Sequence, residues 1–252
     1  MKLSCVIITK NEETNLEKGL PIIKTFADEI IIVDSGSIDK TVETAEAHGA
    51  KVFGRHFDGY GAQKRFGVEK ATGDWIISLD ADEFPTPELC EEIKDFIISP
   101  NDIAGVYLPF RNSLFGETVS YWDKREFHLR LFRKDCGNFD EAAVHEKVRV
   151  TGRLMHMKHY VAHHSFKDLQ HFIDKLNTYA KIGAETAFKA GKKEKCLPEL
   201  LVRLPFRFFF LFIVRGTFRQ GIPGFAWALY FSVYPITKYL FLAELHRNGK
   251  MT

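Results

Sequence analysis

Trp75-Ile76-Ile77-Ser78-Leu79-Asp80-Ala81-Asp82-Glu83 joins an apolar run directly to three carboxylates. An apolar run that ends in acids reads as a buried strand delivering charge to its exposed C-terminal end. In open α/β sheets ligands gather at such ends, and carboxylates spaced i, i+2 can hold one hard cation between protein and phosphate. The bland alternative is a solvated loop or helix cap.

Working outward, Leu3 to Thr9 and Glu29 to Val33 are short β-branched runs, each followed by polar residues and a helical pattern. This βαβ rhythm makes an α/β fold with a mostly parallel sheet flanked by helices. Asn11 can cap a helix that Pro21 interrupts after Leu20, and Ser37 or Asp39 can cap one ending near Gly49. Lys51 to Gly54 suits a third strand, residues 60 to 71 a helix, and Thr86 with Pro87 opens a helix through Ile97. Beyond Pro100 the pattern turns β-rich at Gly105 to Phe110 and His128 to Phe132, with a hairpin over Asn112 to Ser120. From Asp168 it is helical to the end, which places a catalytic domain at 1–190 and a basic, aromatic helical region at 191–252.

The net charge of +2 hides an asymmetry. Residues 1 to 100 hold 11 basic and 19 acidic side chains, and residues 101 to 252 hold 24 and 14. The second part should prefer an anionic partner. Its cations alternate with Phe, Leu and Ile, so anionic lipid is favoured over nucleic acid. Five Phe fall within Phe206 to Phe212, while Gln220 to Thr237 carries no charge but is broken by Pro223, Gly224 and Pro235. That window is short of the ~20 apolar residues of a membrane span, so amphipathic helices lying in the membrane interface are expected. Core helices or a dimer contact are the plain alternative. Four scattered cysteines suggest neither a zinc cluster nor a disulfide framework and fit a reduced setting. His156, His159, His163 and His164 lack the paired spacing of a zinc site.

Four segments together, Val6 to Glu12, Ile32 to Thr41, Gly61 to Lys64 and Asp80 to Glu83, resemble the inverting GT-A glycosyltransferases of family 2. With Val144-His145-Glu146 and the aromatic basic tail, the chain is similar to their lipopolysaccharide-core β-1,4-glucosyltransferase branch. Ile38 stands where the family usually has Thr, a mild departure. The resemblance implies a Rossmann-like GT-A fold with a membrane-associating C-terminal extension. It implies a DXD-type site in which Asp82 ligates Mn2+ or Mg2+ and Asp80 reaches the ribose or a metal-bound water, with His164 as a third ligand and His163 its rival.

Thr9, Asn11, Glu12, Asp34, Gln63 and Lys64 would then contact a UDP-sugar, Asp34 through the uracil or ribose and Lys64 through the diphosphate. Each has a plain alternative, since Ser35-Gly36-Ser37 is also a tight turn and Lys64 a surface lysine. Inversion needs a carboxylate that takes the acceptor proton, and Glu146 is the candidate base, with Asp140 and Glu141 as rivals and His145 orienting it. Arg130 and Arg133 share a sheet face only if a bulge intervenes, and Trp122 and Tyr121 could stack on a sugar. The expected activity is metal-dependent transfer of a hexose, glucose first, onto a lipid-linked saccharide at the cytoplasmic face of the inner membrane. A polyprenyl-phosphate sugar synthase and a non-catalytic nucleotide-sugar or membrane-binding module are the alternatives. Product acid-lability distinguishes the first, and turnover lost in Glu146→Gln the second.

Overall fold

A computed structural model describes residues 1–119, 121, 126–140, 148–164, 166, 168–193 and 197–248. The chain forms two compact units, residues 1–111 with 126–163 and residues 112–125 with 164–252.

The first unit opens with β1 (Leu3–Thr9), α1 (Glu13–Ile23), β2 (Glu29–Asp34), α2 (Thr41–Ala47), β3 (Lys51–Gly54), α3 (Tyr60–Lys70) and β4 (Trp75–Asp80). It continues through β5 (Glu83–Pro85), α4 (Pro87–Ile98) and β6 (Ile103–Leu114). After a β-hairpin strand of the second unit, β7 (Glu117–Val119), come β8 (Glu126–Arg133), β9 (Gly137–Phe139), β10 (Val148–Val150), β11 (Arg153–His156) and β12 (Val161–His163).

The sheet runs β3-β2-β1-β4-β8-β6-β12-β5. Its first four strands are parallel, and β4–β8, β8–β6 and β12–β5 are antiparallel. The expectation of a mostly parallel sheet therefore describes its first half. Helical crossovers keep strands parallel as far as β4, and the short connections after Pro100 reverse the direction. Because β4 lies inside the sheet, Trp75, Ile77 and Leu79 pack toward α1 and α4 and Ile76 packs toward α3. That burial on both faces is what the unbroken apolar run requires. Gly67 lets α3 sit close to the sheet, for a Cβ there would come within 2.4 Å of Val6 Cγ1.

The helix caps expected at Asn11 and at Ser37 or Asp39 do not form: α1 begins at Glu13 with no side-chain cap and continues through Pro21 to Ile23, and α2 begins at Thr41 with no side-chain cap. In contrast, Thr86 caps α4 as expected, its hydroxyl accepting from Leu89 N at 3.3 Å.

Buried Glu29 joins the N-terminal ends of three elements. Its carboxylate accepts from Ser4 Oγ at 2.6 Å, Thr72 N at 2.7 Å and Lys51 Nζ at 2.6 Å. Burial pushes this acid up, but Lys51 and the Ser4 and Thr72 donors outweigh it and bring it down to about 2 from 4.5. A depressed folded value stabilises the protein above the unfolded value, and the contribution fades as pH falls from about 4.5 through 2. Glu29→Gln should cost roughly 2–3 kcal/mol at pH 7. Urea unfolding across pH should show wild type and variant converging in acid; parallel curves would refute this role.

The second unit holds the β6–β7 hairpin, in which Asn112 pairs with Val119 as expected, and the helices α5 (Leu169–Lys189), α6 (Leu197–Phe209) and α7 (Gly221–Asn248). A π-helical turn over Phe210–Val214 and a 3-10 turn over Thr217–Gln220 connect the last two. Phe172 stacks on Trp227 with ring centroids 5.8 Å apart, and Leu114, Val119 and Leu176 complete that core. α5 thus belongs by packing with the C-terminal helices, whereas the boundary at 190 follows composition.

The expected breaks in the C-terminal run do not occur, since α7 passes both Pro223 and Pro235. Pro223 falls in the first turn, where its missing N–H removes no helical bond. Pro235 frees the carbonyl of Phe231, and Arg207 Nε donates to that oxygen at 3.0 Å. Arg207→Met should destabilise by about 1–3 kcal/mol by leaving the carbonyl unpaired. A smaller loss than for the exposed Arg219→Met in matched thermal melts would contradict this. Among the described residues, no helix is long and apolar enough to cross a membrane.

Candidate active site

The carboxyl ends of β1 and β2 are tied into one platform. Asp34, 4% exposed, accepts at Oδ1 from Thr9 Oγ1 at 3.1 Å and from Ser37 Oγ, and at Oδ2 from Gly36 N and Ser37 N, both at 2.8 Å. Burial raises this acid, but the Ser37 and Gly36 donors with Thr9 outweigh it and hold the carboxylate ionised. Those four donors match the four lone-pair sites of a carboxylate. Asp34 therefore shapes the turn. Asn11 adopts the left-handed conformation at φ 57°, donating its N–H to Ser37 Oγ at 2.8 Å and accepting from Ile38 N at 2.9 Å. Glu12 N donates to Thr41 Oγ1 at 2.8 Å. Thr9, Asn11, Glu12 and Asp34 are thereby brought together on the edge the sequence indicated.

Gln63 and Lys64 sit on the first turns of α3, and both are buried. Gln63 Nε2 donates to His56 O at 2.9 Å, while its buried Oε1 has no hydrogen-bond partner among the described residues. Lys64 is no surface lysine. Its Nζ lies 2.8 Å from Asp80 Oδ1, and Phe139 stands 5.8 Å from it across the ring centroid.

Asp80, at the end of β4, is held by two cations, for Arg130 Nη2 lies 3.3 Å from its Oδ2. Burial pushes Asp80 up, but Arg130 and Lys64 outweigh it and keep the carboxyl well below the usual carboxylate range. Glu83, 2% exposed, takes Arg130 Nη2 at 2.6 Å and accepts from Asp80 N at 2.9 Å. Burial, with Asp80 adding to it against Arg130, pushes Glu83 up to about 7. Glu83 is thus the buried partner of an arginine.

Arg130 is the site residue the sequence left open. Val106 pairs with Leu131 and Tyr107 with Leu129, so Arg130 is an extra residue of β8 inserted into the register with β6. A bulge of this kind re-aims one side chain out of the alternation. Here it sends the guanidinium to Asp80 and Glu83. The bulge that the i, i+3 spacing of Arg130 and Arg133 called for is present, although Arg133 goes to Asp135 at 2.7 Å.

Asp82 lies in the tight β4–β5 turn, and His163 Nε2 is 3.4 Å from its Oδ2. Burial pulls His163 down, but Asp82, Glu83 and Asp80 outweigh it and raise it above the ordinary imidazole value. Pairing of β12 with β5 places His163 opposite Glu83, which is why the earlier of the two neighbouring histidines faces the acids. His164 is exposed and begins the second unit. Glu146, with His145 and Glu141, lies outside the described residues, as does Trp122. Asp140 is described, and Arg149 Nη2 lies 3.6 Å from its Oδ2.

No group of three or more metal-ligating side chains occurs among the described residues. Asp82 in the β4–β5 turn and His163 on β12 supply one carboxylate and one imidazole. That donor set fits a hard cation that completes its shell with water and phosphate oxygens, which is how Mg2+-type ions usually bind with nucleotides. It does not fit a closed structural zinc site.

Comparison with known proteins identifies relatives of this chain. The profile of glycosyl transferase family 2 matches residues 4–151. An uncharacterised glycosyltransferase of Rickettsia bellii is 31% identical over 97% of this chain and 86% of its own. The lipopolysaccharide core biosynthesis glycosyltransferase LpsC of Rhizobium meliloti is 29% identical over 93% of this chain and 89% of its own. Among solved structures, residues 1–349 of Staphylococcus aureus TarS align with 99% of this chain and 92% of that one, at 16% identity and a TM-score of 0.48.

Proposed function

Because the chain belongs to glycosyl transferase family 2, we propose that it is a metal-dependent inverting hexosyltransferase of the lipopolysaccharide-core β-1,4-glucosyltransferase type. It moves glucose from UDP-glucose to a lipid-linked saccharide in cell-envelope glycan synthesis. The observation that carries this reading is the set of Lys64, Asp80, Arg130, Asp82 and His163 at the carboxyl end of β4, where α/β folds bind nucleotides. The full-length likeness to the lipopolysaccharide-core enzyme LpsC supports the choice of acceptor class.

The roles follow from charge. A nucleoside diphosphate leaves as a polyanion, and catalysis of its departure consists of compensating that charge. A divalent cation, Mn2+ or Mg2+, held by Asp82 with His163 would supply most of the compensation. Lys64 and Arg130 stand beside it as fixed cations, and Asp80 keeps both aimed at the same point. The buried Oε1 of Gln63, without a hydrogen-bond partner among the described residues, is an acceptor suited to the imide N–H of uracil. Glu146 remains the proposed base for the acceptor hydroxyl. Asp34, Asn11 and Thr9 form the floor under the nucleoside rather than its direct partners. Incubating the full-length protein with UDP-glucose, Mn2+ and a deacylated core oligosaccharide should give a β-linked product by NMR. An α-linked product would overturn inversion.

The second unit carries the features expected of a membrane partner. Val202, Phe206, Phe209 and Ile213 recur at i, i+4, i+7 and i+11, and the two central phenylalanines are 70% and 56% exposed. Residues 189–219 hold eight basic and two acidic side chains. An exposed apolar stripe flanked by cations suits the cytoplasmic face of an anionic membrane, each Lys or Arg there contributing about 1 kcal/mol. The full chain should sediment with phosphatidylglycerol vesicles, and Phe206→Asp with Phe209→Asp should reduce that at least tenfold. Equal sedimentation would remove the membrane from the account.

A further inference from the structure

α6, with the π-helical turn that follows it, and α7 form an antiparallel hairpin. Arg203 Cζ stands 6.0 Å from the Tyr239 ring, Arg207 Nε donates to Phe231 O at 3.0 Å, and the Phe208 ring lies 5.6 Å from Phe225. Numbers that rise along α6 therefore fall along α7, and the hairpin ends in the connection between Phe209 and Phe225. A connection on a protein surface usually carries polar turn residues, whereas this one exposes large apolar side chains. Ile222 is 77% exposed, Phe218 and Phe225 are 46% exposed each, and Ile213 and Val214 are exposed as well. Phe218, Ile222 and Phe225 recur at i, i+4 and i+7, and the Phe212 ring packs against the first and last at 6.3 and 5.8 Å.

Three features say what covers this end. No aspartate or glutamate occurs from Leu200 to Ala243, a run that holds Arg203, Arg207, Arg215, Arg219 and Lys238. An anionic bilayer attracts such a set and disfavours carboxylates, while a surface shaped for water or for another protein mixes both signs. Next, the backbone of the turn is paired within itself. Arg215 N donates to Phe210 O at 2.8 Å, Gly216 N to Ile213 O at 3.1 Å, and the buried Thr217 Oγ1 to Leu211 O at 3.1 Å. Gly224 lets α7 close over this turn, for a Cβ there would come within 1.8 Å of Thr217 O. Backbone groups that approach hydrocarbon need partners other than water. Finally, Arg215 Cζ lies 5.2 Å from the Phe210 ring and Arg219 Cζ 5.8 Å from the Phe218 ring. A guanidinium binds phosphate through two donors while its stem rests on apolar surface.

Phenylalanines and arginines set side by side suit the boundary between acyl chains and lipid phosphates. Resting on the membrane reading above, we infer that the α6–α7 hairpin enters an anionic bilayer end first, as a wedge that does not cross it. Ile213, Phe218, Ile222 and Phe225 stand among the upper acyl chains, and Arg215 and Arg219 take the lipid phosphates. The two arginines stop entry at the headgroup boundary, after burial of about 5–10 Å. Leu201 and Val202, at the start of α6, are the shallow end.

The test places a tryptophan at each end of α6–α7 in the full-length protein, as Ile222→Trp and Leu201→Trp. Vesicles of equal parts phosphatidylglycerol and phosphatidylcholine carry bromine on the upper part of the acyl chains, and wild-type emission is subtracted. Bromine should quench the tryptophan of Ile222→Trp at least about twofold more than that of Leu201→Trp. Phe218→Asp with Ile222→Asp should lower sedimentation with the same vesicles at least about tenfold, and Arg219→Gln about fivefold. Leu201→Asp with Val202→Asp should lower it less than the first pair. Equal quenching of the two tryptophans would show a hairpin lying flat and would overturn the inference while leaving the membrane reading intact. Full sedimentation of the Phe218, Ile222 variant would overturn it too, and its conversion from dimer to monomer would assign the exposed end to a second copy. Failure of wild type to sediment with the vesicles would instead strike the membrane reading itself.

Discussion

Asp82→Asn is expected to lower metal-dependent turnover of the sugar donor by roughly 10²–10³-fold while leaving the melting temperature within about 2 °C. The asparagine keeps the size of the side chain and one oxygen but loses the charge that a hard cation needs. Its neighbourhood predicts a small structural cost, because Asp82 sits in a turn with about a quarter of its side chain in solvent. His163 Nε2 lies 3.4 Å from its Oδ2, and an imidazole can hydrogen-bond the amide as well. Turnover measured as UDP release with Mn2+, set against thermal melts, separates the two effects. A variant as active as wild type would move the cation site elsewhere.

Arg130→Ala should have the opposite signature, a loss of about 3–5 kcal/mol in stability. Glu83 is almost wholly buried, and Arg130 at 2.6 Å is the cation that compensates it. Removing the guanidinium leaves a buried acid unpaired and frees the Asp80 Oδ2 contact as well. For a chain of this size that amounts to a fall of roughly 6–20 °C in melting temperature. Arg130→Lys should recover only part of it, because an ammonium lacks the planar fork that spans two carboxylates. The double variant Arg130→Ala with Glu83→Gln should be more stable than Arg130→Ala alone, since the buried acid that Arg130 compensated is gone. Additive losses would show that the pair is not coupled and that the bulge has another purpose.

Asp82 and Arg130 stood out unequally in the sequence. Asp82 stands in a local pattern, an apolar run closed by acids, and local patterns survive in sequence. The same holds for the Thr86-Pro87 cap, the hairpin at 112–119 and the strand at 75–80. Arg130 owes its role to a register shift between β6 and β8, residues far apart in sequence, and no window around Arg130 contains that information. The choice between His163 and His164 depended likewise on the three-residue pairing of β12 with β5. Such short strands leave no periodicity to read. Pro235 was a breaker by local rule, and only tertiary structure brings Arg207 to the carbonyl it frees. Asp34 was correctly placed at the strand end, but the four donors around it come from two loops that fold onto each other.

The account rests most directly on donor binding. The full-length protein should be titrated with UDP-glucose, UDP-galactose, GDP-mannose and dTDP-glucose in Mn2+ and again in EDTA. A preference for a UDP-sugar that appears with Mn2+ and disappears with EDTA is the result expected of Asp82, Lys64 and Arg130 acting on a diphosphate. Binding of no nucleotide sugar under either condition would contradict it, and the cluster at the end of β4 would then be a structural ion-pair network.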